Sequence, residues 1–480
     1  MKNVSRSRQA TCQTSPRSLT RRREMKKREI SSEGIYDARE LGIPTMLFLG
    51  LQHMFAFFGA TVLVPLLTGL SVQTTLLMAG LCTLIFHYAF TKRTVPAFLG
   101  SSFAFLGGYA MIKSSPAYAD LPLEEQLAYA NGGALVGAII CYTVLALIIK
   151  LIGVKRTLKY LPPVVTSPMI ICIGLSLAPS AIANASVNWA LAIIAIATVI
   201  IFNIWGKGIW NIVPILMGVV ISYVIAVTAQ LLGAGGAWAN QIDFSAVASA
   251  SWFGLPPIVT PKFDFTAIMI MAPICLATMM EHIGDISAIS ATTKKNFVED
   301  PGLWRTLLGD GWMSALSLAV GGPPNTTYGE NTGVLALSKV FDPKVVRIGA
   351  AYAVIFGFMP KIAAIINTMP TAIIGGISFM LYGMISAIGV RNMYENHVSL
   401  AKSRNLIIVS VVMVCGLGIS DGITLNIAGT SITLTGMAIA AIVGIILNAV
   451  LPGKDYEYGK DTNADTNRGI AIGASPSRVE

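Results

Sequence analysis

Fourteen stretches of this chain are apolar, most of them close to the ~20 residues a helix needs to cross a bilayer. No other feature narrows the possible folds so far. They fall at 45–70, 72–91, 94–114, 128–153, 158–184, 187–206, 209–234, 263–290, 304–321, 329–340, 344–369, 371–390, 404–420 and 431–451. The 480 residues are 54% hydrophobic and 12% charged, about half the charged share of a soluble domain. The expectation is an all-α polytopic membrane protein of fourteen segments. Two stretches, 94–114 and 329–340, are poor helices, interrupted by Gly, Pro, Ser and Thr. Non-helical backbone survives at membrane depth only where protein or a water-lined cavity satisfies its polar groups. Those two breaks are the first candidates for a site.

The formal net charge is +10, but its placement argues against a nucleic-acid partner. Eleven Lys or Arg precede residue 45, among them Arg21, Arg22, Arg23, Lys26, Lys27 and Arg28. Others sit in alternate connections, at Lys92-Arg93, Lys155-Arg156-Lys159, Lys207, Lys294-Lys295, Lys344-Arg347 and Arg391-Lys402-Arg404. The connection at 115–127 instead carries Asp120, Glu124 and Glu125. This is the positive-inside distribution. It predicts cytoplasmic termini, an even number of spans and a multi-pass cell-membrane protein. Lys361, in or beside the eleventh stretch, is the basic residue out of place.

Residues 1–40 form a basic tail expected to be disordered, too weakly apolar for a signal peptide, with Met25 as an alternative start. Residues 454–480 are a polar tail, leaving 41–453 as the membrane domain. Cys82, Cys141, Cys172, Cys275 and Cys415 sit singly in apolar segments and read as small hydrophobes. No spacing suggests a metal site or a disulfide framework. No cofactor is expected. With no Walker motif, nucleophile elbow or paired Cys, the chain does not read as an enzyme.

An offset of 229 residues carries Gln52-His53 onto Glu281-His282 and Gly100-Ser101 onto Gly329-Glu330. Each of these glycines follows prolines, Pro96 in one case and Pro323-Pro324 in the other. The matches fall on the third and tenth stretches, equal places in two sets of seven. Seven is odd, so the halves would have opposite membrane orientation. Inverted repeats with paired broken helices mark secondary transporters.

Charged side chains inside the membrane are costly and usually functional. Glu281 lies within the eighth stretch, Asp285 one turn later on the same face, and Glu330 in the tenth. Two carboxylates one turn apart in a low dielectric do not both ionise easily, which suits a group that takes and releases a proton. His53, in the first stretch, is as easily a packed side chain as a functional one. Glu281-His282 are adjacent and point to different faces, which disfavours a zinc site. Gly107-Gly108 and Gly375-Gly376 read as close helix packing.

Glu330-Asn331-Thr332-Gly333-Val334-Leu335-Ala336-Leu337-Ser338-Lys339 resembles the signature of the nucleobase–ascorbate transporter family (nucleobase:cation symporter family 2), with Ser338 where the family has Thr. Leu51-Gln52-His53-Met54-Phe55-Ala56, Gly100-Ser101-Ser102-Phe103-Ala104-Phe105, Glu281-His282-Ile283-Gly284 and Asn325-Thr326-Thr327-Tyr328-Gly329-Glu330-Asn331 are similar to its bacterial uracil-carrying members. The likeness covers about residues 40–452. It implies fourteen segments in two inverted sevens, with short strands in broken segments 3 and 10. A core (45–153 and 263–369) would move against a gate (158–234 and 371–451) that also forms a homodimer, in an elevator-like cycle.

The resemblance further implies that Glu281 and Glu330 accept the two N–H groups of uracil. The backbone N–H groups of Phe103 and Gly329 would bind its carbonyls, and Tyr328 and Phe103 would supply apolar walls. Asp285, Glu281, His53 and Asn331 are implied in ion coupling. One departure stands out: uracil carriers of the family typically have His where this chain has Asp285, whereas purine carriers have Asp there but Gln in place of Glu330. The expectation is uracil symport with a proton, or with sodium. A xanthine or purine symporter is the alternative, and a channel or anion exchanger on the same fold is the alternative of another class.

Overall fold

The computed structural model describes residues 34–207, 210, 213–238, 242–419, 422–427 and 430–453; the side chain of Glu330 and both tails lie outside the described residues. Helix α1 (Ile43–Thr68) has Pro44 in its first turn and stops at Gly69, whose φ of 87° places it in the left-handed region. Ser71 then caps α2 (Val72–Ile85), which runs on through a π turn at Phe86–Phe90. The chain next breaks. It forms strand β1 (Leu99–Ser101), a 3-10 turn at Phe103–Phe105 and the short helix α3 (Leu106–Ser114). Four long helices follow, with short ones at Val154–Leu158 and Ser245–Ser249: α4 (Leu123–Ile152), α5 (Pro163–Ser186), α6 (Trp189–Trp205) and α7 (Pro214–Leu231).

In the second part of the chain, two helices again precede a strand and a short helix. Helix α8 (Cys275–Thr293), led by Phe265–Met271, and α9 (Leu303–Ala319) precede strand β2 (Asn325–Thr327) and the short helix α10 (Gly329–Ser338). Then come α11 (Pro343–Gly357), α12 (Pro360–Asn367), α13 (Thr371–Glu395) and α14 (Ser403–Gly418). A hairpin of β3 (Ile423–Ile427) and β4 (Thr430–Leu434) leads to α15 (Gly436–Val450). Among the described residues seven helices are long and apolar enough to span a membrane, or eight if the bent pair α11–α12 is one span. Helices α6, α14 and α15 are shorter and apolar.

The stretch 344–369 is not one straight helix. It bends by 83° between α11 and α12, at Pro360, which has no N–H to continue the ladder. This accounts for Lys361, which lies on α12 with its Nζ 5.3 Å from the centre of the Trp252 ring.

Strands β1 and β2 pair antiparallel, Leu99 opposite Thr327, Gly100 opposite Thr326 and Ser101 opposite Asn325. All six residues are buried. Two strands leave their outer edges unpaired, and each unsatisfied polar group at membrane depth costs several kcal/mol. Neighbouring helices supply the partners. Thr83 of α2 accepts from the Leu99 N–H at 2.9 Å and donates to the Leu99 carbonyl at 3.2 Å. Ser314 of α9 donates to the Asn325 carbonyl. Ser317 donates to the Pro323 carbonyl at 2.6 Å, and Asn131 of α4 to the Gly322 carbonyl at 3.1 Å.

The segment at 34–42 ties the far end of α10. The Ile35 N–H donates to the Lys339 carbonyl and the Phe341 N–H to the Ile35 carbonyl, both at 2.7 Å. The Tyr36 hydroxyl donates to the Thr293 carbonyl at the end of α8, at 2.7 Å. The Arg39 backbone N–H, and then Lys344, hold the exposed Asp37 carboxyl below its usual range.

Helix α13 lies along α5, α4 against α9, and α11 against α1 and α2. The α5–α13 contact depends on small residues: a Cβ on Gly375 would sit 2.2 Å from the Ala185 nitrogen. Gly108 is likewise close-packed, against Met271 at 2.5 Å, but Gly107 faces open space and lines a cavity, so close packing does not explain it. Overpacking a tight contact costs ~1–3 kcal/mol. Gly375→Leu should therefore lower the melting temperature of the detergent-solubilised protein by several degrees, and an unchanged melting curve would mean the α5–α13 backbones are not in contact.

Candidate substrate and ion site

Antiparallel pairing sends the two short helices away from opposite ends of the β1–β2 ribbon. The chain leaves β1 at Ser101 to enter the turn at Phe103, and leaves β2 at Thr327 to enter α10 at Gly329. Three residues of strand span ~10 Å, so two helix starts lie about that far apart across the ribbon. The first N–H groups of each lack intrahelical partners and carry the positive end of the helix dipole. Together they favour negatively polarised ligand atoms.

Each residue expected at the site has a definite place. Phe103 is 8% exposed, and its ring meets the edge of Tyr382 on α13 at 6.2 Å between centroids. Gly329 begins α10, where a Cβ would lie 3.4 Å from Asp285 Oδ1. Glu281 is part-buried on α8, one turn before Asp285. Glu330 is the second residue of α10. The Tyr328 ring covers Gly100, where a Cβ would come within 2.5 Å of it, and its hydroxyl donates to the Ser101 carbonyl at 2.8 Å. Tyr328 thus knits β1 to α10. His53 and Asn331 are both 1% exposed, and Asn331 Nδ2 stands 3.1 Å from His53 Nδ1.

Asp285 belongs to a larger polar group. The Thr327 hydroxyl on β2 donates to Asp285 Oδ2 at 2.9 Å. That uses its one proton, so at 3.4 Å from His282 Nδ1 the same oxygen can only accept. His282 Nδ1 in turn lies 3.3 Å from Asp310 Oδ2 on α9. Both side chains are fully buried. No hydrogen bond joins them, and both Asp310 oxygens and His282 Nε2 have no hydrogen-bond partner among the described residues. The chain Asp310–His282–Thr327–Asp285 runs through three elements to the start of α10.

Asp310 was absent from the expected site. Its signal was in the sequence: it is a single acid within the apolar stretch 304–321, the kind of residue that marks a functional position. Other buried polar atoms without partners among the described residues gather at the ribbon, including Ser102 Oγ, Thr326 Oγ1 and Asn331 Oδ1. Such atoms are few in most folded proteins. Among the described residues no group of three His, Cys, Asp or Glu is arranged to hold a metal ion.

A cavity of ≈1200 Å³ opens beside the short helix α3. Ala104, Leu106 and Tyr109 line it on one side, and Leu175, Ser180 and Tyr382 on the other. Neither Glu281 nor Asp285 lines it. It ends against the turn that carries Phe103, because Ala104 and Tyr382 flank that residue.

A multi-pass apolar bundle whose buried polar groups converge on two broken segments is the build of a membrane carrier. The chain belongs to the Permease family of xanthine and uracil permeases, whose family model matches residues 44–425. It is 39% identical to the uracil permease of Bacillus caldolyticus, over 85% of this chain and 92% of that protein. It is 37% identical to the uracil permease of Bacillus subtilis (strain 168), over 87% and 94%. With the putative pyrimidine permease RutG of Escherichia coli (strain K12) it shares 36%, over 85% and 89%. These relatives are transport proteins, not enzymes.

Two solved structures share the fold. The transmembrane domain of the cyanobacterial bicarbonate transporter BicA superposes with a TM-score of 0.59 at 17% identity, over 86% of this chain and 98% of that one. SLC26A9 superposes with a TM-score of 0.61 at 11% identity, over 93% and 72%.

Removing one member of a buried polar pair leaves the other desolvated without its neighbour, at a cost of about 1–3 kcal/mol. Asp310→Ala should therefore destabilise the protein more than the double change Asp310→Ala with His282→Ala does, measured as melting temperature in detergent. Additive losses would show that the two side chains do not act as a pair.

Proposed function

We propose that this permease imports uracil by symport with a proton, through an elevator-like cycle of a homodimer in the cell membrane with both termini cytoplasmic. The observation that carries the reading is the β1–β2 ribbon, which sets two helix starts across a short gap with carboxylate-bearing helices beside them. Uracil offers two N–H donors and two carbonyl acceptors in one plane. Glu281 and Glu330 accept the N–H groups. The backbone N–H groups at Phe103 and Gly329 meet the carbonyls, and the Phe103 ring forms the apolar wall. Tyr328 contributes by fixing the ribbon. A site built to hydrogen-bond a polar ligand strongly rejects analogues that lack those groups.

Fourteen segments in two inverted sevens fit the order of elements, since a broken strand–helix unit follows two helices in each half. The proposed core comprises α1 to α4 with α8 to α12, and the gate α5 to α7 with α13 to α15. The cavity lies between these two groups of helices, where a core sliding against a gate would expose the site in turn. Coupling falls to Asp285 and Glu281, with the His282–Asp310 pair behind Thr327 and the His53–Asn331 pair beside α10. Relatives printed as uracil and pyrimidine permeases support the substrate class. The likeness to BicA and SLC26A9 concerns the fold, and two carboxylates do not suit an anion pathway.

The test is uptake of labelled uracil into proteoliposomes, with xanthine as competitor, with and without an imposed pH gradient. Uracil should accumulate when the outside is acidic, and strong competition by xanthine, or accumulation driven by sodium alone, would overturn the reading. Glu330→Gln should cut uracil uptake at least tenfold or shift preference toward purines, and unchanged uracil kinetics would remove Glu330 from the substrate. Asp285→Asn should leave exchange of uracil down its gradient but abolish pH-driven accumulation. Full accumulation in that variant would take Asp285 out of the coupling path.

A further inference from the structure

On the face where α2 ends and α11 begins, two guanidinium groups converge on one tyrosine. The Arg93 Cζ lies 4.7 Å from the centroid of the Tyr88 ring and the Arg347 Cζ 5.5 Å from it. Lys92 and Arg93 both adopt positive φ, 51° and 65°, a conformation that L residues other than Gly seldom take. The Arg93 N–H donates to the His87 carbonyl at 2.9 Å, which closes the turn and directs the side chain back onto Tyr88. The arrangement places like charges together at a cost in backbone conformation.

The surrounding carboxylates do not neutralise it. Asp300 is bound by Lys92 at 2.9 Å. Asp342 accepts from the Ala38 N–H at 2.8 Å and from the Lys344 N–H at 2.9 Å, and pairs with Lys344 Nζ at 3.2 Å. Lys344 also takes Asp37. Arg305, the next cation, spends its Nε on the Phe90 carbonyl. Neither Arg93 nor Arg347 has an ion-pair partner among the described residues, and Arg347 Nη1 is buried with no hydrogen-bond acceptor. His87, fully buried beside them, gives its Nε2–H to the Ala97 carbonyl at 2.7 Å and so does not compete for an anion. A buried guanidinium N–H without an acceptor is rare in a folded protein.

We propose that Arg93 and Arg347, held by Tyr88, form a binding site for a phosphate group, of the kind presented by an anionic phospholipid headgroup. Arginine matches phosphate geometry with paired N–H donors. Tyr88 is 55% exposed at the end of an apolar helix, the position of an aromatic residue at the membrane–water boundary. The charge pattern makes this the cytoplasmic face, where basic groups meet anionic lipid. The site stands apart from Glu281, Asp285 and Glu330 in the chain and does not depend on what is transported.

The test uses the full-length protein purified in a neutral detergent, with phosphatidylglycerol, phosphatidylcholine and inorganic phosphate added separately. Thermal melting and native mass spectrometry are the readouts. Phosphatidylglycerol should raise the melting temperature and remain bound in the gas phase, while phosphatidylcholine does neither. Arg93→Gln, an exposed-turn change, and Arg93→Gln with Arg347→Gln should weaken that binding about tenfold or more, the scale of a lost charged hydrogen bond. Lys155→Gln, a basic residue elsewhere on the proposed cytoplasmic face, should not change it. Inorganic phosphate that displaces the lipid and gives the same melting shift would identify a free phosphate as the source. Phosphatidylglycerol binding that is equal in wild type and Arg93→Gln, or weakened as much by Lys155→Gln, overturns the site.

Discussion

A buried two-strand ribbon, three residues on each side, is the element on which the rest of this structure depends. Nothing in a bilayer can satisfy its outer edges, so the protein must. That requirement explains polar residues which otherwise look misplaced in apolar helices: Thr83 on α2, Asn131 on α4, and Ser314 and Ser317 on α9. Each is spent on backbone groups of the broken segments. The helices that carry them are thereby fixed in rotation and depth around the ribbon. The apolar packing of α4 against α9 and of α11 against α2 follows from that placement.

The ribbon also gathers more polar capacity than folding consumes. Ser102, Thr326, Asn331, His282 and Asp310 keep buried polar atoms without partners among the described residues. Low dielectric makes such atoms costly. Thr327 is the junction. It is a strand residue paired to β1, and its hydroxyl joins Asp285 to the His282–Asp310 pair. A change of charge at Asp285 would therefore be felt directly by the strand that leads into Gly329 and Glu330. Coupling between an ion and a substrate needs a shared element of this kind.

Much of this was legible in the sequence, and the exceptions have physical causes. Apolar length located the helices because hydrocarbon thickness is a fixed ruler. The Gly and Pro residues in 94–114, and Pro323-Pro324 ahead of 329–340, pointed to the two broken segments, and β2 lies at Asn325–Thr327, just before the second of those stretches. The bend between α11 and α12 was hidden because hydropathy averages across a single proline; Lys361 was its visible trace. Asp310 lies in none of the matched motifs, although a single acid in the apolar stretch 304–321 carries the same warning as Glu281. The role of Tyr328 could not be read locally. Its neighbour across the ribbon is Gly100, more than two hundred residues away, and only the register shows that the ring needs the missing Cβ.

The two helices that carry the carboxylates are joined at both ends. At the ribbon, Thr327 binds Asp285, and Gly329 lies against the same carboxylate. At the far end, the segment at 34–36 bonds to Lys339 and Phe341 beyond α10 and to Thr293 on α8. Any displacement that keeps these bonds carries α8 and α10 together, with Glu281 and Glu330 at a fixed relation. Compliance must then reside elsewhere. The cavity lies between α3 on one side and α5 and α13 on the other. Phe103 meets Tyr382 across that divide through ring edges, a contact that can slide without breaking a hydrogen bond. The geometry thus places the bonded contacts between α8 and the two ends of the β2–α10 segment, and only an apolar ring contact between Phe103 and Tyr382.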